Sequence, residues 1–211
     1  MTPTPRGRRR PAPLDARKQP VQRRSAVTVD AILEAAARIL EQGGFTRYTT
    51  NAIAERAGVS VGSLYQYFPN RDALTAALIE RESAPLLAAL EEAGAAASCE
   101  AALLGLIRAS VAHQMQRPVL ARLLDFEEER LPLGERDARI GDRIHATLTR
   151  AFALPDAPRL DDPSTAAFDV FAIVRGMVDA AGARGETDAA ALEVRATRAV
   201  VGYLWRSETP R

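Results

Sequence analysis

The chain of 211 residues is poor in the groups that redox, metal and membrane functions require. Its single cysteine, Cys99, excludes an internal disulfide framework and suits a reducing cytoplasm, where we expect the protein to act. The two histidines, His113 and His145, are far apart in sequence and neither has a partner at metal-ligand spacing, so we expect no metal and no cofactor. No apolar run approaches the roughly 20 residues needed to cross a bilayer, so we expect no membrane partner.

The sequence also lacks the arrangements that carry catalysis. It contains no recognisable nucleophile–base pair and no phosphate-binding loop. The acidic run DFEEER at 125–130 is interpreted as a solvated helix end, with a metal or a cationic effector as the alternative. We therefore predict that the protein is not an enzyme.

Charge is distributed unevenly along the chain. The net charge is +1, yet residues 1–24 carry eight basic residues and one acidic residue, a charge of +7 that leaves −6 for the remainder. Five prolines lie in the same stretch and predict that segment 1–25 is a disordered arm. Such an arm indicates a localised anionic partner, either nucleic acid or an anionic membrane surface.

The rest of the sequence predicts an all-α fold. Apolar residues recur at three-to-four spacing between capping residues, and no stretch alternates as a β-strand does. Pro85 is predicted to kink or divide the helical segment 71–93, because an interior proline loses a backbone hydrogen bond. The predicted helices begin at Thr28, Thr49 or Thr50, Ser60, Asn70, Ser98, Pro118, about residue 135, Asp162–Pro163 and Thr187.

Residues 49–68, TTNAIAERAGVSVGSLYQYF, predict a helix, a tight turn and a second helix. Ala57 and Gly58 permit the sharp turn, which projects the second helix outward. A helix presented in this way can enter the DNA major groove with its N-terminal residues facing the bases. A three-helix bundle that makes no DNA contact is the alternative interpretation.

The residue types on and after the second helix fit DNA binding. Three small residues at its N-terminus let the backbone approach base edges, and the serine among them can bond with a base. Two tyrosine hydroxyls can reach phosphates, and an arginine opens the next helix, where its charge and the free amides favour a phosphate. In chain order these residues are Val61, Gly62, Ser63, Tyr65, Tyr67 and Arg71.

The same stretch resembles the DNA-binding domain of the TetR family of bacterial transcriptional repressors, over about residues 26–82. The matching positions are Phe45, Thr49–Thr50, Ile53–Ala54, Ala57–Gly58–Val59–Ser60, Gly62, Leu64–Tyr65, Tyr67–Phe68 and Asn70–Arg71. The resemblance implies a helix-turn-helix head at 26–72 and a helical body at 73–211 for effector binding and dimerisation. It also implies that the residue at Asn51 reaches a base.

The complete set of residues predicted to bind DNA combines these two arguments. It consists of Thr50, Asn51, Ser60, Val61, Gly62, Ser63, Tyr65, Gln66, Tyr67 and Arg71.

Residues 83–211 carry no chemical signature of their own. The last two helices, about 164–206, have broad apolar faces and predict an antiparallel hairpin. The resemblance implies that this hairpin meets a second copy, so we expect a homodimer that binds double-stranded DNA. A small apolar or amphipathic effector is expected between the helices of the body. The residues expected to face inward around it are Leu103, Leu106, Ile107, Met115, Val119, Leu123, Phe126, Phe168 and Phe171.

Taken together, these features predict a ligand-responsive transcriptional regulator. We expect a repressor that binds a palindromic operator as a dimer and is released by a small molecule. The alternatives are an enzyme with an all-α fold, and a membrane-surface or protein-interaction module that uses the arginine-rich arm. The dependence of DNA binding on salt and on sequence distinguishes them.

Overall fold

The computed structural model describes residues 23–131 and 135–205. Within these two ranges the chain forms nine helices and no strand, which confirms the all-α fold class. The helices are α1 Arg23–Arg47, α2 Thr50–Ala57, α3 Val61–Tyr67, α4 Arg71–Gly94, α5 Cys99–Gln116, α6 Pro118–Arg130, α7 Glu135–Phe152, α8 Pro163–Ala183 and α9 Ala189–Trp205.

Short-range capping fixes the starts and ends of the first helices. The Ser60 hydroxyl accepts a hydrogen bond from the Ser63 N–H at 3.0 Å, and the Asn70 side chain accepts one from the Ala73 N–H at 2.7 Å. Gly58 ends α2 with a φ of 69°, a left-handed conformation that glycine adopts without a steric penalty. Both predicted caps are therefore confirmed.

Two predicted helix boundaries are wrong. Helix α1 begins at Arg23 rather than at Thr28, so the last three residues of segment 1–25 are helical; residues 1–22, which hold most of the predicted arm, lie outside the described residues. Helix α9 is capped by Asp188 rather than by Thr187, since the Asp188 carboxylate accepts from the Ala191 N–H at 2.9 Å. At α9 the neighbouring Thr187 was mistaken for the cap.

Pro85 does not divide its helix. Helix α4 runs without interruption from Arg71 to Gly94, with Pro85 inside it. Pro85 is exposed, so water is available to the carbonyl that loses its backbone partner. The prediction of a division at this proline is therefore wrong.

One hydrophobic core holds the N-terminal head, which comprises α1–α3 and the first half of α4. Ile32, Ile53 and Leu64 are fully buried in it and bring α1, α2 and α3 together. Helix α6 contributes Leu120 and Leu124 to the same core, although it lies far away in sequence. The head is thus a four-helix unit with α6 packed against it.

A second core holds the body, which comprises the second half of α4 and helices α5 and α7–α9. The apolar faces predicted on α8 and α9 are used here, within the protomer. The fully or almost fully buried members of those faces are Ala166, Val170, Val174, Val178, Leu192, Ala196, Val200 and Leu204. Any contact between copies through this hairpin must therefore use its outer side.

Among the described helices, none combines the length and the apolar composition that crossing a bilayer demands.

Candidate nucleic-acid interface and body cavity

Helix α3 is anchored by Leu64, while Val61 and Tyr67 are partly buried against the same core. Leu64 is fully buried in the head core, which fixes the rotation of this seven-residue helix. Gly62, Tyr65 and Gln66 are consequently exposed. Three further predicted residues are partly exposed, namely Val61, Ser63 and Tyr67. The predicted reading residues Val61, Gly62 and Ser63 are therefore adjacent at the start of α3, and each is at least partly exposed.

Tyr65 joins α3 to the start of α2. Its hydroxyl lies 3.2 Å from the hydroxyl of Thr50, the first residue of α2, and both are predicted phosphate contacts. Two hydroxyls in contact, beside free amides of a helix N-terminus, form a compact set of donors for a phosphate oxygen. Asn51, the next residue, is exposed beside them.

Ser63 and Tyr67 are also held by neighbours within the head. The Ser63 hydroxyl lies 2.8 Å from the hydroxyl of the capping Ser60, and the Tyr67 hydroxyl accepts from Ser25 of α1 at 3.3 Å. Each hydroxyl oxygen has two lone pairs, so one such bond leaves further capacity. Ser63 therefore serves the helix cap and remains able to contact a base.

Arg71 lies at the exposed start of α4. The position of this helix start is fixed from within the head, because the Tyr48 hydroxyl contacts the Thr75 hydroxyl at 3.1 Å and Thr75 donates to the Arg71 carbonyl at 2.9 Å. Burial raises the pKa of Tyr48, so its hydroxyl keeps its proton. The guanidinium of Arg71 is thereby presented from a rigid base.

Arg47 and Thr49 lie beside the predicted DNA-binding residues without belonging to that set. Both are exposed and line an open groove beside the first turn of α2, next to the predicted Thr50. Thr49 also caps α2 by accepting from the Ala52 N–H at 3.2 Å.

An ion-pair cluster joins the head to the body at the start of α6. Arg117 donates to both carboxylate oxygens of Glu41 on α1 at 2.8 Å and lies 3.2 Å from Glu34 and 3.5 Å from Glu82. These hydrogen bonds from Arg117 hold the pKa of Glu41 below its ordinary value. The planar guanidinium is suited to such two-point contacts, so this cluster fixes orientation as well as distance.

The other end of α6 is attached to the head as well. Arg130 lies 2.7 Å from Asp72 in the first turn of α4, and it also pairs with the buried Glu127. The ring of Phe126 packs against that of Phe45, with centroids 5.9 Å apart. Within the acidic run 125–130, Glu127 is thus a paired internal residue rather than a solvated one.

A cavity of about 290 Å³ lies between α4, α5, α6, α7 and α8. Five of its lining residues are apolar, namely Leu86, Ile144, Phe171, Val174 and Val178. The lining also carries serine, histidine, glutamine and charged side chains from α4, α5, α6 and α8. Polar and charged residues thus outnumber apolar ones in the lining, whereas small-molecule sites are mostly apolar with a few polar groups.

Most residues predicted to surround an effector do not line this cavity. Phe171 does, whereas the expectation that Val119, Phe126 and Phe168 face inward is wrong, because they are 47%, 60% and 59% exposed. The five other predicted residues pack in or against the two cores. Leu103, Leu106, Ile107 and Met115 belong to the body core, and Leu123 packs against the head core.

Three of the missed cavity residues are polar and lie on a single face of α5. Ser110, His113 and Gln114 are spaced three and four residues apart and so share that face. Burial lowers the pKa of His113, so its imidazole is neutral at physiological pH. Three polar residues at helical spacing were the signal in the sequence for this part of the lining.

The outer side of the α8–α9 hairpin is exposed and largely apolar. On α8, Phe168, Ala172, Gly176 and Ala180 recur every four residues and are exposed. On α9, Val194, Val201 and Trp205 are 49%, 44% and 46% exposed. The ring of Phe168 packs against that of His145, with centroids 4.4 Å apart. These outward residues form what we term the outer face.

Two family models match the chain. The model of bacterial regulatory proteins of the tetR family matches residues 32–78, and that of the tetracyclin repressor-like C-terminal domain matches residues 98–204. The matched segments coincide with the head and with the body, and together they cover most of the chain.

Curated relatives and solved structures agree with these models. The HTH-type transcriptional repressor KstR of Mycobacterium tuberculosis (strain ATCC 25618 / H37Rv) is 31% identical over 94 residues, 44% of this chain and 43% of that protein. KstR of Mycolicibacterium smegmatis (strain ATCC 700084 / mc(2)155) is 43% identical over 51 residues, 24% of this chain and 25% of that protein.

Among solved structures, the transcriptional regulator FadR from Bacillus subtilis in complex with stearoyl-CoA superimposes with a TM-score of 0.70. It is 20% identical, and the match covers 82% of this chain and 97% of that one, which shows a common fold.

The match to the curated relatives is partial, since the chain spans less than half the length of each of those it matches. The two family models nevertheless match segments of both the head and the body, and the second model alone matches more than half of the chain. These families consist of regulatory proteins rather than enzymes. The chain belongs to the TetR family of bacterial regulatory proteins.

Proposed function

We propose that this protein is a ligand-responsive transcriptional repressor that binds a palindromic operator as a homodimer. The observation that carries the proposal is the presentation of α3 and the start of α2 on one exposed face, with Leu64 and Tyr65 fixing their geometry. The alternative of a head that is only a packing unit does not account for exposed Gly62, Gln66 and Asn51 on that face.

The division of labour on this face follows from side-chain chemistry. Thr50, Tyr65, Tyr67 and Arg71 carry hydroxyl or guanidinium donors suited to phosphates, which position the protein on any duplex. Asn51 and Ser63, with Val61, are suited to base edges, where an amide pairs with adenine and a methyl group packs on thymine. Ser60, Gly62 and Gln66 complete the surface that approaches the groove.

Dimerisation through the outer face supports the reading of a palindrome. One seven-residue helix reaches only a few base pairs, whereas two related by a twofold axis read both half-sites. Small residues at Ala172, Gly176 and Ala180 let a second α8 approach closely. The exposed Val201 and Trp205 supply apolar surface for the same contact.

The position of α6 supports release of the protein from DNA by an effector. This helix lines the cavity with Asp125 and Glu128, and it also packs into the head core with Leu120 and Leu124. A ligand that favours one arrangement of the cavity wall therefore favours one placement of the head. The two heads of a dimer would then no longer match the spacing of the groove.

The experiment is selection of bound duplexes from a random pool by the full chain. An enriched inverted repeat, bound far more tightly than scrambled duplex and with affinity falling steeply as salt rises, is the expected result. Equal binding to scrambled DNA at moderate salt contradicts the proposal. It would favour instead a membrane-surface or protein-interaction module.

A further inference from the structure

Arg47 is an exposed cation of the head that no other described side chain neutralises. Residues 25–82 contain five arginines and no lysine. Three of these arginines have polar side-chain partners, namely Arg38, Arg56 and Arg81. Within the described residues, Arg47 and Arg71 have neither an ion pair nor a side-chain hydrogen bond. Arg71 is a predicted phosphate contact, which leaves the unpaired guanidinium of Arg47 to be explained.

The side chain of Arg47 lies against the bare backbone of Gly43. Gly44 interrupts the helical conformation of α1 with a φ of 56°, a left-handed value that favours glycine. A Cβ atom at residue 43 would lie 2.4 Å from the Cδ of Arg47 and 2.9 Å from its Cβ. Rotation of the Arg47 side chain cannot remove the second of these contacts, because the backbone fixes the position of a Cβ. Glycine at residue 43 therefore permits the stem of Arg47 to pack on α1.

The turn that carries Arg47 is held by hydrogen bonds and by burial. The Arg47 carbonyl accepts from the Thr49 N–H at 2.9 Å, and the Tyr48 N–H donates to the Phe45 carbonyl at 3.2 Å. Tyr48 is 1% exposed, and its hydroxyl contacts that of Thr75. A side chain on so fixed a backbone loses less conformational entropy when it binds an anion.

Arg47 lines the open groove between α1 and α2, next to the predicted phosphate contact Thr50. Glu55 and Arg56 line the same groove, so two arginines against one glutamate leave it a charge of +1. Three steps of trans backbone span at most about 11 Å between α-carbons. That distance corresponds to about three nucleotides along one strand of duplex DNA. Arg47 is therefore within reach of the strand whose phosphate Thr50 and Tyr65 are proposed to contact.

We infer that Arg47 binds a backbone phosphate of duplex DNA and so provides a second guanidinium contact besides that of Arg71. The inference rests on the proposed function only in taking the head as the DNA-binding unit. Arg47 precedes α2 and Arg71 follows α3, so the two cations flank the helix-turn-helix in the chain. Phosphate contacts fix the register of a protein on the duplex and carry no sequence information directly. Arg47 thus positions α3 without selecting bases.

The first test is the salt dependence of binding to a scrambled duplex, which requires no selected operator. Arg47→Gln should reduce the slope of log affinity against log salt by about one, and should weaken binding about tenfold at low salt. Arg47→Lys, which keeps the charge, should retain the slope. Arg38→Gln is the matched control, because it removes a charge that is already paired with Glu34 at 2.8 Å. An unchanged slope in Arg47→Gln, or an equal loss in Arg38→Gln, overturns the inference.

The second test locates the contact on the selected operator. Duplexes that each carry one uncharged methylphosphonate linkage are titrated with the unmodified chain and with Arg47→Gln. One linkage in each half-site should weaken binding of the unmodified chain and have no further effect on Arg47→Gln. The other linkages should affect both chains equally. Identical profiles for the two chains overturn the inference.

A measurement on the unmodified chain covers the case in which Arg47→Gln does not fold. Bound duplex should slow the modification of Arg47 by phenylglyoxal, followed by mass spectrometry, and should leave that of the exposed Arg159 unchanged. Equal modification of Arg47 with and without duplex overturns the inference. If selection nevertheless yields a palindrome, the proposed repressor stands and only the role of Arg47 is rejected. A chain that binds no duplex contradicts both.

Discussion

Single hydroxyl groups fix the geometry of the outward face of the head. Tyr65 holds Thr50 at 3.2 Å, and Ser60 holds Ser63 at 2.8 Å. Because these contacts restrict side-chain rotation, little conformational entropy remains to be lost when DNA binds. The residues that position the protein and the residues that read bases should therefore respond differently to substitution.

Replacement of Arg71 tests the positioning role. Arg71→Ala should weaken binding to the selected operator and to scrambled duplex alike, by about tenfold at low salt, and should reduce the salt slope by about one. Asn51→Ala should instead alter the preference at particular base pairs. Affinities measured by fluorescence anisotropy over a salt series distinguish the two, with the exposed Arg159→Ala as control. The same pattern in both variants would contradict this division.

The reactivity of the Cys99 thiol tests whether this single side chain is buried. Burial, together with the nearby Asp156 carboxylate, raises the pKa of the Cys99 thiol to about 11, so the thiol is protonated at neutral pH. We expect iodoacetamide to label the native chain much more slowly than the chain unfolded in urea, as followed by mass spectrometry. Equal labelling rates would mean that the start of α5 opens readily.

At the scale of elements, α6 is the helix that connects the head core to the cavity of the body. Its start is attached to α1 and α4 through Arg117, and its end is attached to α4 through Arg130. Between these points its buried leucines lie in the head core, while Asp125 and Glu128 line the cavity. A shift of α6 would therefore displace residues of the head at several points of contact.

Arg117 should contribute to stability as well as to orientation. The side chains of Arg117 and Glu41 are only 18% and 20% exposed. Removal of one partner therefore leaves the other charge partly desolvated and without its counter-ion. Arg117→Met should lower the free energy of unfolding by about 1–3 kcal/mol at neutral pH, measured by urea denaturation. Arg143→Met is the matched control, since its 2.8 Å pair with Glu91 has side chains 52% and 67% exposed and should contribute about 0–1 kcal/mol.

The same pair predicts a dependence on pH. Because Arg117 lowers the pKa of Glu41 in the folded state, its contribution is complete above the ordinary pKa of 4.5 and is lost as the pH falls through the lower folded value. The difference in unfolding free energy between the unmodified chain and Arg117→Met should thus be constant near neutral pH and shrink in acid. A difference that grows in acid contradicts the assignment of this ion pair.

How far the sequence predicts each element depends on the range of the interactions involved. The helix boundaries of the head were predictable because Gly58, Ser60 and Asn70 make capping hydrogen bonds with residues no more than four positions away in sequence. The body was not, because the side of a helix that faces the core depends on distant partners. Phe126 and Phe168 are apolar yet exposed, while the polar Gln114 is buried, and periodicity alone does not separate such cases.

At the scale of the whole molecule, the outer face of the α8–α9 hairpin is the proposed contact between the two copies of a dimer. Val201 is 44% exposed and makes no contribution to the described cores, so Val201→Arg should fold as a protomer. Introduced charges would face each other across a twofold axis, so the variant should sediment as a monomer and lose more than about tenfold in operator affinity. Ala112→Arg, on the exposed side of α5, is the control. A dimeric Val201→Arg variant would show that copies meet elsewhere.

The most direct test of a dimer reading two half-sites is a change of spacing in the selected operator. Insertion of about five base pairs between the half-sites, half a helical turn, places them on opposite sides of the duplex without altering either sequence. Fluorescence anisotropy should then show affinity for the altered duplex reduced to that for a single half-site. Equal Kd values for the two spacings would contradict the account.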